Sequence, residues 1–243
     1  MLKISNLNKK YDKYQVLKDI NIEFNDTGVT VIVGANGSGK TTFFNSLIGM
    51  TNVEQDTSIT LDNWTVGDRE FKERVFYIPS DFFIPEFMTG VEYGRFVLSR
   101  YAYSELNDFL KMLDILDMTD SKDKLLSSYS FGMKKKIQIA VAIASHAQYI
   151  LADEVFSGLD FETSLLVQDT FKYTSKRQQI IIVSHEANIV NNFSNNILLM
   201  RHGSLVPFKG SIDDIALTIR KEDDVHDKIS EIQRYFDNEQ VSI

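Results

Sequence analysis

The chain has 243 residues, of which 43% are hydrophobic and 25% are charged, which is ample for the core of one α/β domain. It contains no cysteine, and this excludes a disulfide framework and a thiolate metal site. The net charge of −8 argues against a broad nucleic-acid-binding face and against direct adsorption to an anionic membrane.

The first strands of the chain alternate between apolar and polar residues. Leu2–Leu7 and Val16–Phe24 both have this pattern, which is typical of antiparallel strands with one face exposed to solvent. Thr57–Leu61 resembles them and ends in the turn signal Asp62-Asn63. These segments predict an antiparallel β layer at the edge of the domain.

Later strands are continuous apolar runs rich in β-branched residues, and most of the segments between them have helical spacing. This alternation predicts a mostly parallel sheet covered by helices, an α/β fold. The runs are Val29–Val33, Val75–Ile78, Tyr149–Leu151, Ile180–Val183 and Ile197–Met200.

Residues 85–126 lack strand-like runs and have the spacing of amphipathic helices, which predicts an inserted helical lobe. Residues 1–84 and 127–210 would then form the core with its β edge layer. Residues 211–243 predict a charged helical tail within the same single domain. Its expected docking positions are Ile229, Ile232, Tyr235 and Phe236.

The segment after Val29–Val33 has the pattern G-x-x-x-x-G-K-[ST], which is typical of a phosphate-binding P-loop that follows a strand. Glycines allow backbone N–H groups to surround an anion, and the next helix adds its positive end. Lys40 is expected to contact the β- and γ-phosphates and Thr41 to hold Mg²⁺. The alternative is a glycine-rich turn without function, but every fixed position is present. The residues predicted to bind nucleoside triphosphate are Gly34, Asn36, Gly37, Ser38, Gly39, Lys40, Thr41 and Thr42.

Two acids follow the apolar run Tyr149–Leu151 and Ala152. Acid pairs after a strand are often helix caps or idle loop residues, but this pair lies downstream of a P-loop. We therefore predict that Asp153 holds Mg²⁺ and that Glu154 is the general base that activates water.

Two further segments could contact the phosphates, but their sequence patterns are less specific than that of the P-loop. The segment Ser130-Phe131-Gly132-Met133 precedes a helix. Ser130 and Gly132 either face a phosphate, or Ser130 is a plain N-cap of that helix. The residues alone favour the plain N-cap. His185 ends the strand Ile180–Val183. It is either a solvated residue or a contact of the γ-phosphate, since ligands of open α/β sheets lie at the carboxyl ends of strands.

The order of these motifs over residues 1–210 resembles that of the ATP-binding-cassette (ABC) ATPases. The resemblance implies that Ser130–Met133 is the signature motif, which completes the site of the opposite subunit, so that two chains enclose two ATP molecules. It also implies that Ser157–Asp160 is the D-loop, that His185 is the switch histidine, and that Tyr11 stacks on adenine. Tyr11 is otherwise a surface aromatic at a strand end.

The chain departs from the family pattern at three positions. Phe131 replaces the usual glycine of the signature and Met133 the usual glutamine, a form that resembles bacterial exporter ATPases for peptides and antibiotics. Ser80 falls where the family has the Q-loop glutamine, and serine is too short to reach a metal in the same way.

The resemblance implies an ATPase that drives a separate transmembrane permease together with a second cassette, most simply as a homodimer. The expected cargo is an exported peptide, toxin or drug. The alternatives are a soluble ABC ATPase of the iron–sulfur assembly type and a regulatory module that does not hydrolyse ATP. The aromatic side chains of Phe82, Phe83 and Phe87 are expected either to receive a permease helix or to pack between the lobes.

The sequence also predicts where the protein works. The N-terminal residues have no apolar core of a signal peptide, and the longest apolar candidate, Ile137–Ala144, is too short to cross a bilayer. We therefore expect a cytoplasmic protein that reaches the inner face of the membrane through its permease.

Overall fold

The computed structural model describes residues 1–81, 84–210, 212–220 and 223–239. Its strands are β1 Leu2–Tyr11, β2 Tyr14–Phe24, β3 Gly28–Val33, β4 Ser58–Leu61, β5 Trp64–Thr65, β6 Val75–Ile78, β7 Tyr149–Asp153, β8 Gln179–Val183, β9 Ile197–Arg201 and β10 Ser204–Phe208. Its α-helices are α1 Lys40–Leu47, α2 Arg69–Lys72, α3 Gly90–Leu98, α4 Leu106–Ile115, α5 Phe131–Ala144, α6 Phe161–Thr174, α7 Ala187–Asn192, α8 Ile212–Arg220 and α9 Asp223–Glu239.

Within the described residues the strands form two sheets. The larger has the order β10-β9-β3-β8-β7-β6 and is parallel except for β10, which runs antiparallel to β9. The smaller has the order β2-β1-β4-β5 and is antiparallel throughout. The predicted α/β class, with a mostly parallel sheet and an antiparallel layer, is confirmed.

The central sheet is covered on both faces, which explains its continuous apolar strands. Every residue of β7 and β8 is buried. One apolar cluster lies between this sheet and the helices, and a second lies between the sheet, α1 and the antiparallel layer. Since β3 pairs with β8 on one side and β9 on the other, the segment that follows β3 emerges at the middle of the sheet edge.

Residues 85–126 contain α3, α4 and a short 3₁₀ turn at Thr119–Ser121, and a second turn, Leu126–Ser128, begins at their end. The helix α3 begins with a capping box, in which Thr89 and Glu92 satisfy each other's backbone N–H groups. Gly94 lies directly against the ring of Phe109 on α4, where a Cβ atom would come within 2.3 Å of the ring. The domain boundaries at 85 and 126 stay a prediction.

The tail contains α8 and α9, and Ile215 of α8 is buried. Of the docking positions expected on α9, Ile229 is half-buried, whereas Ile232, Tyr235 and Phe236 are exposed. Among the described residues, none of the helices combines the length and apolar character that crossing a bilayer requires.

Candidate nucleotide-binding site

The loop between β3 and α1 has a shape that only glycine allows at several positions. Gly37 and Gly39 have φ angles of 79° and 110°, which lie in the left-handed region. A Cβ atom on Gly34 would lie 2.4 Å from the carbonyl oxygen of Met200, so a side chain there would clash with the backbone of β9. The loop turns directly into α1, and its backbone N–H groups are therefore positioned for an anion.

Lys40 places a cation inside this loop. Its Nζ donates hydrogen bonds to the carbonyl oxygens of Gly34, at 2.7 Å, and Ala35, at 3.0 Å. Burial lowers the pKa of Lys40, while the carboxylates of Glu154 and Asp153 favour its charged form. The amine and both carboxylates therefore belong to one electrostatic site.

Thr41 and Asp153 meet although they lie 112 residues apart in the sequence. The Thr41 hydroxyl donates to Asp153 Oδ2 at 3.0 Å, and the Tyr77 hydroxyl donates to the same oxygen at 3.4 Å. Burial raises the pKa of Asp153, and the hydrogen bond from Thr41 opposes this shift. Hydroxyl and carboxylate oxygens are ligands that Mg²⁺ accepts, so these two residues fit that ion. Among the described residues, no group of three or more histidine or acidic side chains is placed to hold a metal ion.

Glu154 has an unusual backbone conformation, and the two oxygens of its carboxylate have different surroundings. Its φ of 48° lies in the left-handed region, where a residue other than glycine is strained. His185 Nδ1 lies 3.0 Å from Glu154 Oε1, whereas Oε2 is buried and has no hydrogen-bond partner among the described residues. A buried carboxylate oxygen without a partner requires a ligand or water molecule to satisfy it. This oxygen is therefore suited to hold a water molecule.

These residues surround a cavity of about 250 Å³, and a larger one of about 410 Å³ lies beside it. Both cavities are bordered by Val16, Asn36 and Gly37. The smaller is also lined by Gly39, Lys40, Thr41, Thr42, Ser80, Asp153 and Glu154. The larger is also lined by Tyr14, Gln15, Lys18, Ala35, Ser38, Leu199, Met200, Arg201, His202 and Gly203.

The predicted adenine contact, Tyr11, lines neither cavity. Its hydroxyl lies 3.2 Å from Thr51 Oγ1, and Lys9 Nζ lies 4.6 Å from the centre of its ring. Tyr14, which pairs with Tyr11 at the end of the β1–β2 hairpin, lines the larger cavity instead. The sequence analysis did not identify Tyr14, because an exposed tyrosine beside a turn is ordinary, and the signal that it offers is its position three residues after Tyr11.

The segment that begins α5 is not part of these cavities. The Ser130 hydroxyl accepts a hydrogen bond from the backbone N–H of Met133 at 3.3 Å, so Ser130 is an N-cap in this chain. The ring of Phe131 covers Gly158, where a Cβ atom would come within 2.4 Å of it. Ser130 and Gly132 line neither cavity.

The structure thus brings together the loop 34–42, Asp153, Glu154 and His185, and leaves Tyr11, Ser130 and Gly132 outside. Of the aromatic residues expected to receive a permease helix, Phe87 is 77% exposed. Phe82 and Phe83 lie outside the described residues.

Comparison with known proteins gives matches over most of the chain. A family model described as ABC transporter matches residues 17–157. The methionine import ATP-binding protein MetN of Clostridioides difficile is 26% identical over 227 residues, covering 89% of this chain and 70% of that protein. The phosphonates import ATP-binding protein PhnC of Fusobacterium nucleatum is 27% identical over 248 residues, covering 91% of this chain and 97% of that protein.

The fold also matches solved structures. One is described as the dimeric, post-hydrolysis state of an ATP-binding cassette bound to ADP and Pi. It is 20% identical, with a TM-score of 0.75, and the match covers 86% of this chain and 100% of that one. At this identity the match establishes a shared fold.

Proposed function

This chain belongs to the ABC transporter family of ATP-binding subunits, and we propose that it acts as one of two cassettes that power a separate membrane permease. The chain binds ATP and is an ATPase. The observation that supports the ATP-hydrolysing part of the proposal is the contact between Thr41 of the P-loop and Asp153 at the end of β7. It closes one cavity around Lys40 and Glu154, the residue types that phosphoryl transfer to water requires.

The polar residues in and beside the smaller cavity have distinct proposed roles. Lys40 and the N–H groups of the loop hold the β- and γ-phosphates. Thr41 and Asp153 would hold Mg²⁺, which when bound neutralises charge that develops on the phosphate oxygens. Glu154 Oε2 accepts a proton from the attacking water, whose oxygen forms a bond to the γ-phosphorus while the bond to the bridging oxygen of ADP breaks. His185 holds Glu154 Oε1 and so orients the carboxylate.

Two substitutions separate binding from chemistry. Lys40→Ala removes the cation that faces the phosphates and should weaken ATP binding itself. Glu154→Gln retains the shape of the side chain but not the base, so ATP should bind as in the wild type while kcat falls by about 10²- to 10⁴-fold. The measurements are the ATP Kd by fluorescence titration and steady-state hydrolysis.

Glu231→Gln, a change of an exposed acid on α9, is the matched control and should alter neither quantity. Hydrolysis by Glu154→Gln at the wild-type rate would show that the base assignment is wrong.

The permease and the location at the inner face of the membrane are supported by family membership and by the transport functions in the relatives' names. Detergent extraction of membranes from the native cell should yield the chain in a stoichiometric complex with a polytopic membrane protein. Recovery of all the protein in the soluble fraction, bound to no membrane subunit, would favour an ATPase of the iron–sulfur assembly type instead.

The direction of transport is outside the proposal. The signature form Ser130-Phe131-Gly132-Met133 favours export, whereas the methionine and phosphonate relatives are named as import proteins and lend export of a peptide, toxin or drug no support. The reconstituted complex decides between the two, because cassettes facing outward on a proteoliposome drive an exporter to fill the lumen and an importer to empty it.

A further inference from the structure

The helix α5 buries a lysine in its first turns. Three consecutive lysines, Lys134 to Lys136, resemble a solvated charge run in the sequence, and Lys134 does pair with the exposed Glu86 at 2.8 Å. Lys135 is different, since none of its surface is exposed. Burial of an ammonium group is costly unless hydrogen bonds and opposite charges compensate for the lost water.

The compensation comes from the loop that follows β6. Lys135 Nζ lies 3.2 Å from the carbonyl oxygens of both Pro79 and Ser80, and donates hydrogen bonds to them. Ser80 itself lines the smaller ATP cavity. The amine of Lys135 therefore holds the backbone of residues 79 and 80, although Lys135 does not itself line the cavity.

The same amine faces the acids of the ATP site. Burial lowers the pKa of Lys135, and the carboxylates of Asp153, Asp81 and Glu154 oppose this shift. Lys135 is thus a buried cation that balances part of the negative charge around the cavity. Lys40, on the P-loop side of the cavity, is likewise buried and faces the carboxylates of Glu154 and Asp153.

We propose that Lys135 is a positioning residue for ATP hydrolysis, which holds the loop 79–81 in place and connects α5 to the catalytic carboxylates. The inference rests on the function proposed above and adds a residue to it. The side chain of Ser80 is too short to reach far into the cavity. The shape of the cavity wall at this point therefore depends on where the backbone of residue 80 is held.

This arrangement has a mechanical consequence. Ser130 and Lys135 lie on the same rigid helix, about 7.5 Å apart along its axis at 1.5 Å per residue. A displacement of α5 at its exposed start therefore moves the amine, and with it the loop at Ser80. Lys135 links the surface where a second molecule would bind to the cavity wall.

The test compares Lys135→Met and Lys135→Gln with the control Lys134→Met in the full chain. Methionine fills the site without a donor, so kcat should fall at least tenfold while the ATP Kd stays within threefold, because the P-loop is intact. Glutamine retains a donor without the charge and should give an intermediate kcat. Lys134→Met should stay within twofold of the wild type in both quantities.

Hydrogen exchange of the backbone amides of Ser80 and Asp81 supplies a readout that does not depend on catalysis. It should be faster in Lys135→Met and unchanged in Lys134→Met. Wild-type kcat in Lys135→Met would overturn the proposal, as would unchanged exchange or a loss of ATP affinity equal to the loss of kcat. If Lys135→Met does not fold, the same criteria apply to Lys135→Gln. A wild-type protein that binds ATP without hydrolysing it would count against the proposed function, and the exchange result would still decide the role of Lys135.

Discussion

The hydroxyl group of Tyr149 joins the two sheets of the molecule. Tyr149 is the first residue of β7 in the central sheet and is fully buried. Its hydroxyl accepts a hydrogen bond from the backbone N–H of Leu2 in β1 at 2.8 Å. The same oxygen lies 3.2 Å from the carbonyl oxygen of Phe24 and 2.9 Å from Asp26 Oδ1. One side-chain atom thus connects three separate segments of the chain.

Tyr149→Phe should destabilise the protein. The substitution retains the ring but leaves the N–H of Leu2 without its buried acceptor, which costs about 1–3 kcal/mol of unfolding free energy. Urea unfolding followed by circular dichroism measures the difference. Tyr173→Phe, which removes an exposed hydroxyl, is the control and should change the unfolding free energy by less than about 0.5 kcal/mol. Equal stability of the two variants would show that this hydroxyl does not hold the sheets together.

Single residues were also where sequence reasoning reached its limit. The loop 34–42 and the acids after β7 could be assigned, because their neighbours along the chain define the motif. The roles of Tyr77 and Lys135 could not, because their partners lie 76 and 55–56 residues away in sequence. A tyrosine in a strand and a lysine within a lysine run carry no local signal of such contacts.

The segment Ser157–Asp160, for which the resemblance implies a D-loop, ends at the residue that starts the helix α6. Asp160 is the N-cap of α6, since its Oδ1 accepts the backbone N–H of Thr163 at 2.8 Å and its Oδ2 accepts the Thr163 hydroxyl at 2.7 Å. The hydrogen bond from that N–H is the main cause that lowers the pKa of Asp160. The charged carboxylate is therefore favoured in the folded protein.

This cap predicts a pH-dependent stability. Because the pKa of Asp160 is lower in the folded than in the unfolded chain, its stabilisation is complete above the ordinary pKa of 3.8 and is lost as pH falls through the folded value. Asp160→Ala should lower the unfolding free energy by about 1 kcal/mol at pH 7. Asp160→Asn retains a cap but not the charge. The difference in unfolding free energy between this variant and the wild type should therefore shrink as pH falls from about 5 to about 3.

Chemical unfolding at several pH values measures both effects in the nucleotide-free protein. A difference between Asp160→Asn and the wild type that is constant from pH 7 to pH 3 would contradict the role of the charge.

The elements that the sequence predicted were those with a strong local pattern. The run Val75–Ile78 is β6 with the same bounds, and the run from Tyr149 extends to Asp153, so that Asp153 belongs to the strand itself. The strands β5 and β10 were missed. Trp64–Thr65 is too short to show a period, and Ser204–Phe208 contains Pro207, a residue that is unfavourable inside a sheet. Proline is tolerated there because β10 is the edge of its sheet and pairs with β9 alone among the described strands.

One chain carries two parts of the predicted ATP site that do not line the same cavity. Lys40 lines the smaller cavity, whereas Ser130 lines neither cavity. A symmetric dimer would supply the missing part to each site from the other copy. Hydrolysis should therefore rise more steeply than linearly with protein concentration, until all chains are paired.

Mixing two inactive variants tests the arrangement directly. Lys40→Ala disables the phosphate side of a site and Ser130→Arg the opposing side, so each variant alone should be inactive. With random pairing, half of the dimers are mixed and each has one intact site, which gives roughly a quarter of the wild-type rate. A mixture as inactive as its components, together with strictly linear concentration dependence, would indicate that one chain suffices.

The position of β3 between two strands from late in the sequence determines when the central sheet can form during synthesis. The strand before the P-loop is complete at Val33, but its two neighbours, β8 and β9, end at Val183 and Arg201. At about 5–20 residues per second, a ribosome needs on the order of 10–30 s to add the missing chain. During that interval the β1–β2 hairpin can close locally, while the apolar run of β3 lacks the strands that it pairs with in the folded protein. The strand that carries the P-loop can therefore be fully paired only after synthesis has passed Arg201.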